Sequence, residues 1–290
     1  MVAKGLMPDL IPPSGFILLR VAGATILFFL LMLVTKFQRI DRKDIGRLLL
    51  CSFFGVAANQ LMFFNGLNLT SPINASIIMT ANPVLVLVLA SIFLGDKISG
   101  IRVLGIAFGA IGAVWLIFTS ADGSAVSGDW RGDVMILINA ASYAVFLVMV
   151  KPLMQKYNAV TVSSWLFLAG IFFVLPFGWS EFREIRWSDF ETGDYVATVF
   201  VIFGTTFLAY LLSIYAIRIV SANVVSSYTY FQPITAAVTA SFFAWIGWAA
   251  IDYTGGITWM KVASAVLIFI GVYLVSKPGL DKARERSGKT

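Results

Sequence analysis

Long runs almost free of charge, separated by short charged clusters, follow one another along the whole chain. A helix needs about 20 mostly apolar residues to cross the hydrocarbon core of a bilayer. By that measure the pattern predicts nine full-length spans, at 14–35, 46–66, 73–94, 101–119, 133–154, 160–179, 195–217, 222–247 and 257–276. Strands are not expected, because a single open strand cannot satisfy its backbone in lipid. The fold class is therefore an all-α integral membrane protein.

Composition strengthens that picture. Residues AVILMFWYC make up 59% of 290 positions and charged residues only 12%, against about 45–50% apolar and 25% charged in soluble domains. Cys51 is the single cysteine, so no disulfide forms within the chain. Histidine is absent, which removes the commonest metal ligand and the usual proton shuttle. No nucleotide-binding loop or metal-ligand cluster is present, so neither an enzyme nor a cofactor is expected. Residues 1–12 contain Lys4, Asp9, Pro8 and Pro12 rather than the apolar stretch of a signal peptide.

The net charge of +6 is distributed by loop. Lys36, Arg39, Arg42, Lys43, Arg47, Lys97, Arg102, Lys151, Lys156, Arg218 and the basic tail from Lys277 put fifteen cations on one side. The other side holds Lys4, Arg131, Arg183, Arg186 and Lys261, with Arg20 inside a span. Excess Lys and Arg mark the cytoplasmic side, so the C-terminus is expected in the cytoplasm of a bacterial inner membrane. Trp130, Trp179, Trp187, Trp245, Trp248 and Trp259 cluster near the opposite boundary, as an interfacial belt does. Trp115 and Trp165 are expected instead to fill gaps between helices.

Two stretches of the chain also match each other. Lys4, Leu6, Met7, Leu19, Ala22 and Gly23 coincide with Lys151, Leu153, Met154, Leu166, Ala169 and Gly170 at an offset of 147. Ser71, Ser76, Pro83, Ala90, Ser91 and Phe93 coincide with residues 150 further on, and Val103, Ile111 and Gly112 with residues 159 further on. The expected organisation is two units, 1–119 and 120–290, the second with a basic tail. Each is built on a five-helix plan, which inverts the second copy relative to the first. The helix at 133–150 has almost no counterpart before Lys4, so the first helix of the first unit is expected to be largely missing.

The residues that carry a family resemblance lie in the first unit. Lys4 precedes a turn with Pro12 and Pro13, and Arg20 follows early in the next helix. "ANPV" spans Ala81 to Val84, "FLGD" spans Phe93 to Asp96, and "GIAFGAIGAVWL" runs from Gly105 to Leu116. In these features the chain resembles the drug/metabolite transporter superfamily, EamA type, over about 1–119 and 130–276. The resemblance implies ten helices, cytoplasmic termini, and export or facilitated passage of amino acids or similar metabolites through a central cavity. The chain departs from the family pattern at Asp96, where Glu is usual, and in the second unit, where Trp245–Gly256 replaces the acidic corner.

Pro83 and Pro233 occupy matching mid-span positions, and a proline leaves the carbonyl four residues back without its helical partner. Paired interruptions in inverted repeats point to a midplane binding site, although a proline kink also serves packing or hinging. Polar residues gather around them: Asn74, Ser76, Thr80 and Asn82 before Pro83, and Asn223, Ser226, Ser227, Tyr228, Tyr230 and Gln232 before Pro233. Asn59 with Gln60, Asn139 with Ser142 and Tyr143, Tyr210 and Phe231 are candidate walls. Interhelical hydrogen bonding accounts for any one of them, and their concentration points to a solvated cavity. Arg20 has two readings, snorkelling to the boundary or binding a substrate carboxylate. Asp133 and Asp252 fall at span edges, so no carboxylate relay is expected in the helices seen. Gly105 and Gly109 suit close helix packing or a homodimer face. The function expected is alternating-access transport of a small metabolite across the lipid bilayer; a non-transporting scaffold or sensor is the rival.

Overall fold

The computed structural model describes residues 2–35, 38–94, 100–119, 129–220, 225, 232–245 and 258–276. After one helical turn at Val2–Leu6, ten longer helices follow among the described residues. They are α1 (Pro13–Val34), α2 (Arg42–Leu69), α3 (Pro72–Met79), α4 (Asn82–Leu94), α5 (Gly100–Thr119), α6 (Trp130–Lys156), α7 (Ala159–Arg183), α8 (Thr192–Ile219), α9 (Gln232–Trp245) and α10 (Trp259–Ser276). Among the described residues no strand occurs, and six spans, with α3 and α4 counted as one, are long and apolar enough to cross a membrane.

Local chemistry sets the helix ends. Pro13 and Pro72 occupy first-turn positions, where a missing amide hydrogen costs nothing. Ser71 Oγ accepts the Asn74 amide at 3.1 Å, and Asn158 Oδ1 accepts the Thr161 amide at 2.7 Å. A more distant cap holds α1, where Glu181 Oε2 on α7 accepts the amides of Ser14 (2.6 Å) and Gly15 (3.1 Å).

The apolar surface is turned outward. Leu33, Ile92, Phe118, Phe172 and Val196 are exposed, whereas Asn74, Thr80, Asn82 and Asp133 are fully buried. A bundle with lipid as its solvent places its residues this way, because hydrocarbon tolerates leucine outside and polar groups only inside. Trp130, Trp179, Trp187, Trp245 and Trp259 face outward as the belt requires. Trp248 lies outside the described residues. Trp115 corrects the expectation: it is outward-facing, not a gap filler, whereas Trp165 is partly buried edge-on to Phe29.

The same close contacts recur in both halves. A Cβ on Gly23 of α1 would meet Ile202 of α8 at 2.7 Å, and one on Gly170 of α7 would meet Val56 of α2 at 2.6 Å. Gly23 and Gly170 are the matched pair of the sequence alignment. Gly105 and Gly109 are also accounted for within the chain: a Cβ on Gly271 of α10 would lie 2.5 Å from both Gly105 O and Gly109 N. The G-x-x-x-G motif thus lets α5 and α10 pack backbone to backbone.

Candidate functional site

α2 and α8 are each 28 residues long and start 150 residues apart. Each carries a π-helical segment in its middle, Phe53–Ala58 in α2 and Val201–Leu208 in α8. A π segment widens the helix and frees carbonyls for outside donors, and such segments concentrate at functional sites. Here Gly55 O receives the Tyr210 hydroxyl at 2.9 Å, Asn59 O receives Asn139 Nδ2 at 2.7 Å, and Val201 O receives the Thr206 hydroxyl at 2.9 Å. Thr206 Oγ1 in turn accepts Arg20 Nε at 2.9 Å. The spans predicted there, 46–66 and 195–217, carry no mark of these segments, because a change of backbone hydrogen-bond partner leaves the hydrophobic pattern unaltered.

A cavity of about 730 Å³, within the range that holds small-molecule ligands, is lined by Val201 and Thr205 of the α8 π segment and by α2 from Asn59 onward, just past its own π segment. Its walls come from α1, α2, α3, α6, α8 and α9. Of the predicted residues, Arg20, Asn59, Ser76, Asn139, Tyr143 and Tyr210 line it. Gln60, Ser213, Gln232, Thr235 and Thr239 add polar groups, and Phe63, Phe64, Leu67, Met79 and Phe146 an apolar wall. Gln60 and Gln232 are among the polar residues that the sequence singles out; Ser213, Thr235 and Thr239 are not, since a lone hydroxyl in an apolar run carries little signal.

The structure places other predicted residues elsewhere. The break between α3 and α4 lies at Thr80–Ala81, with Pro83 in the first turn of α4, so this span is interrupted as expected. Around it, Thr80 Oγ1 donates to Ile77 O at 2.6 Å, Asn82 Nδ2 approaches Ala140 O at 3.5 Å, and Asn74 Nδ2 donates to Asp133 Oδ2 at 3.3 Å. Thr80, Asn82, Pro83 and Asn74 do not line the cavity. In the second half α9 starts at Gln232, with Pro233 again next in the chain. Asn223, Ser226, Ser227, Tyr228, Tyr230 and Phe231 lie outside the described residues.

Arg20 is 4% exposed and does not snorkel. Its guanidinium lies 4.1 Å from the ring centre of Phe64 and 5.8 Å from that of Phe16, which offsets part of its lost hydration through the ring faces. Among the described residues that line the cavity it is the one charged group. Its Nη1 is buried without a hydrogen-bond partner among the described residues, as are both polar atoms of Gln60 and Oδ1 of Asn139. Buried polar atoms are nearly always satisfied, so three such side chains around one cavity present donors and acceptors ready for a ligand. Asp133 corrects a further expectation. It stands near a helix end but is fully buried, accepting Thr70 Oγ1 and Asn74 Nδ2, because the start of α6 packs tightly against the α2–α3 junction.

This bundle and its cavity have relatives. The pattern described as the EamA-like transporter family matches residues 1–118 and 130–277. The chain is 25% identical over 241 residues to "Uncharacterized transporter YyaM" of Bacillus subtilis, covering 81% of this chain and 74% of that protein. It is 25% identical over 263 residues to an "Uncharacterized transporter" of Archaeoglobus fulgidus, covering 91% of this chain and 88% of the relative. A "Probable terminal-alkyne amino-acid exporter" of Streptantibioticus cattleyicolor is 24% identical over 257 residues, covering 86% and 79% of the two chains. A solved crystal structure superposes with a TM-score of 0.59 at 15% identity over 95% of this chain and 93% of its own, which shows a shared fold. Multiple apolar helices around a central cavity and a family match over nearly the whole length lead to one conclusion: the chain is a multi-pass integral membrane protein of the EamA-like transporter family.

Proposed function

We propose that the protein moves a small amphipathic carboxylate, with apolar α-amino acids as the best-fitting class, by alternating access around the central cavity. One observation carries the reading: Arg20 Nη1, Gln60 and Asn139 Oδ1 are unpartnered around the same cavity. Arg20 supplies a cationic donor for a carboxylate. Asn139 Oδ1 and Gln60 Oε1 are acceptors suited to an ammonium group. Phe63, Phe64, Leu67 and Met79 offer an apolar wall for the side chain. Among the described residues the lining contains no Asp or Glu, which favours an anion or zwitterion over a plain amine. The printed name of the Streptantibioticus relative concerns an amino-acid exporter, which agrees with this class. The loop charges support a cytoplasmic C-terminus in a bacterial inner membrane, with export or facilitated diffusion as the direction.

Leucine, isocaproate and isoamylamine share one apolar body and differ in their charged ends. Leucine should raise the melting temperature most, isocaproate less and isoamylamine least, and Arg20→Ala should erase the advantage of the two carboxylates. In proteoliposomes, labelled leucine should exchange across the membrane. Equal stabilisation by isoamylamine would make Arg20 structural. No exchange of any apolar amino acid would instead support the rival reading, a membrane scaffold or sensor.

A further inference from the structure

Thr206 of α8 is 0% exposed and does not line the cavity, yet it holds Arg20. Arg20 Nε donates to Thr206 Oγ1 at 2.9 Å, and the Thr206 hydroxyl donates to Val201 O at 2.9 Å. A hydroxyl has one proton and two lone pairs, and an arginine Nε can only donate. The direction of both bonds is therefore fixed. In a regular helix a threonine hydroxyl bonds the carbonyl three or four residues back. That of Thr206 reaches five back, inside the π segment Val201–Leu208. The π segment thus commits the proton to Val201 O and leaves the oxygen as an acceptor for α1.

This bond decides which edge of the guanidinium a carboxylate can use. Arginine offers a carboxylate two forks, one at the side formed by Nε and an Nη, the other at the end formed by both Nη atoms. Thr206 occupies Nε, and Phe64 lies 4.1 Å from the guanidinium, so α8 and α2 hold the group from two helices. What remains for a ligand is the end, where Nη1 is buried without a partner among the described residues. Among those residues no carboxylate pairs with Arg20.

The other half of the bundle shows that the packing does not require this bond. α1 meets the α8 π segment at Gly23 and Ile202, and α7 meets the α2 π segment at Gly170 and Val56. By the offsets that relate these helices, 147 for α1 and α7 and 150 for α2 and α8, Arg20 corresponds to Phe167 and Thr206 to Val56. Phe167 and Val56 are both fully buried. The equivalent interface thus keeps its π segment and its tight glycine contact with two apolar side chains at these positions. The polar pair is an addition to that frame, placed where the cavity is.

Resting on the carboxylate reading above, we infer that Thr206 is a positioning residue of the solute site: it clamps Arg20 Nε to the α8 π segment, so that Arg20 presents Nη1 to the cavity and receives the solute carboxylate end-on. Without the clamp the guanidinium turns about its side-chain bonds and offers no fixed fork. Affinity for carboxylates then falls, while a ligand without that group loses nothing.

The decisive variant is Thr206→Val, which replaces the hydroxyl by a methyl group and installs the residue that already stands at position 56. Titration calorimetry on the full chain in detergent should show the Kd of leucine and of isocaproate raised roughly 3–10-fold, with the weaker isoamylamine binding unchanged. Thr206→Ser, which keeps the hydroxyl, should restore both carboxylates. In an Arg20→Ala background Thr206→Val should add no further loss, because the two residues act as one unit. Thr206→Cys, whose sulfur accepts weakly, carries the same test where the valine variant does not fold. An unchanged leucine Kd, an equal loss for isoamylamine, a serine variant as weak as the valine one, or a full additional loss in Arg20→Ala would each overturn the inference and leave Thr206 a packing residue. If Arg20→Ala itself leaves leucine binding intact, the carboxylate reading fails, and the role of Thr206 with it.

Discussion

Two polar regions of this bundle are built on opposite terms. At one end, Lys156 of α6 bonds Asp41 and, at 2.7 Å, Asp44, while the Tyr157 hydroxyl donates to Asp44 at 2.7 Å and accepts the Asp41 amide at 3.0 Å. The Asn158 amide donates to Gln38 Oε1 at 2.6 Å. These groups are partly open to water, which would satisfy them cheaply, and yet they are paired. In the central cavity Arg20, Gln60 and Asn139 are 2–4% exposed, and each keeps an atom unpaired among the described residues. Energetics alone predict the reverse, since an unpaired polar atom costs most where water is scarce. Polarity therefore does not separate scaffold from site in this molecule. Between these two regions hydrogen-bond satisfaction is what differs: the end cluster ties α2 to α6, and the cavity leaves donors and acceptors open.

The strongest way to break this comparison is at Arg20. Arg20→Ala removes a charge-assisted bond worth about 1.5–3 kcal/mol, so the leucine Kd measured by titration calorimetry should rise roughly 10–150-fold. Lysine at this position should recover only part, lacking the planar fork. An unchanged Kd would remove Arg20 from the site. Next in size is the helix contact that holds the cavity walls from outside. Gly271→Val drives a side chain into the α5 backbone and should lower stability by about 1–3 kcal/mol in a denaturation curve, without changing the oligomeric state. A wild-type melt with altered association would make the G-x-x-x-G surface intermolecular.

Gln60→Leu sharpens the contrast further, because it should act in opposite directions on stability and binding. Removing two unpaired buried atoms should stabilise the empty protein by roughly 1 kcal/mol, while leucine binds more weakly. Loss of both stability and affinity would mean that Gln60 is already partnered. The smallest effect is expected at Lys156→Met. Exposed ion pairs contribute little, so leucine affinity should be unchanged and the melting temperature nearly so; a clear loss of affinity would merge the two regions into one functional unit.

Much of this was legible in the sequence. Runs predicted at 14–35, 101–119 and 133–154 appear as helices Pro13–Val34, Gly100–Thr119 and Trp130–Lys156, because a charge-free run of that length has one way to satisfy its backbone in lipid. The break near Pro83 was legible for the same reason, proline having no amide hydrogen to give. Arg20, Asn59 and Asn139 stood out as polar residues inside apolar runs, and all three reach the cavity. Asn74, Thr80 and Asn82 looked equivalent to them and are bound instead to Asp133, Ile77 and Ala140. The π segments left little mark on the pattern, since a shift from one carbonyl to the next alters no hydrophobicity. Asp133 looked like a boundary residue until helix contacts buried it.

The residues by themselves determined which segments are helices, where one of them breaks, and that polar groups collect in the middle of the bundle. Those features follow from length, charge and proline chemistry within single segments. Only the tertiary structure decided which polar groups face the cavity, which are consumed by neighbours, and that Asp133, close to a helix end, is fully buried against Thr70 and Asn74. In lipid an apolar helix surface suits a neighbouring helix as well as it suits hydrocarbon. The direction in which a helix turns its few polar atoms is therefore settled by close packing at glycines such as Gly23, Gly132 and Gly271, which hydropathy does not encode.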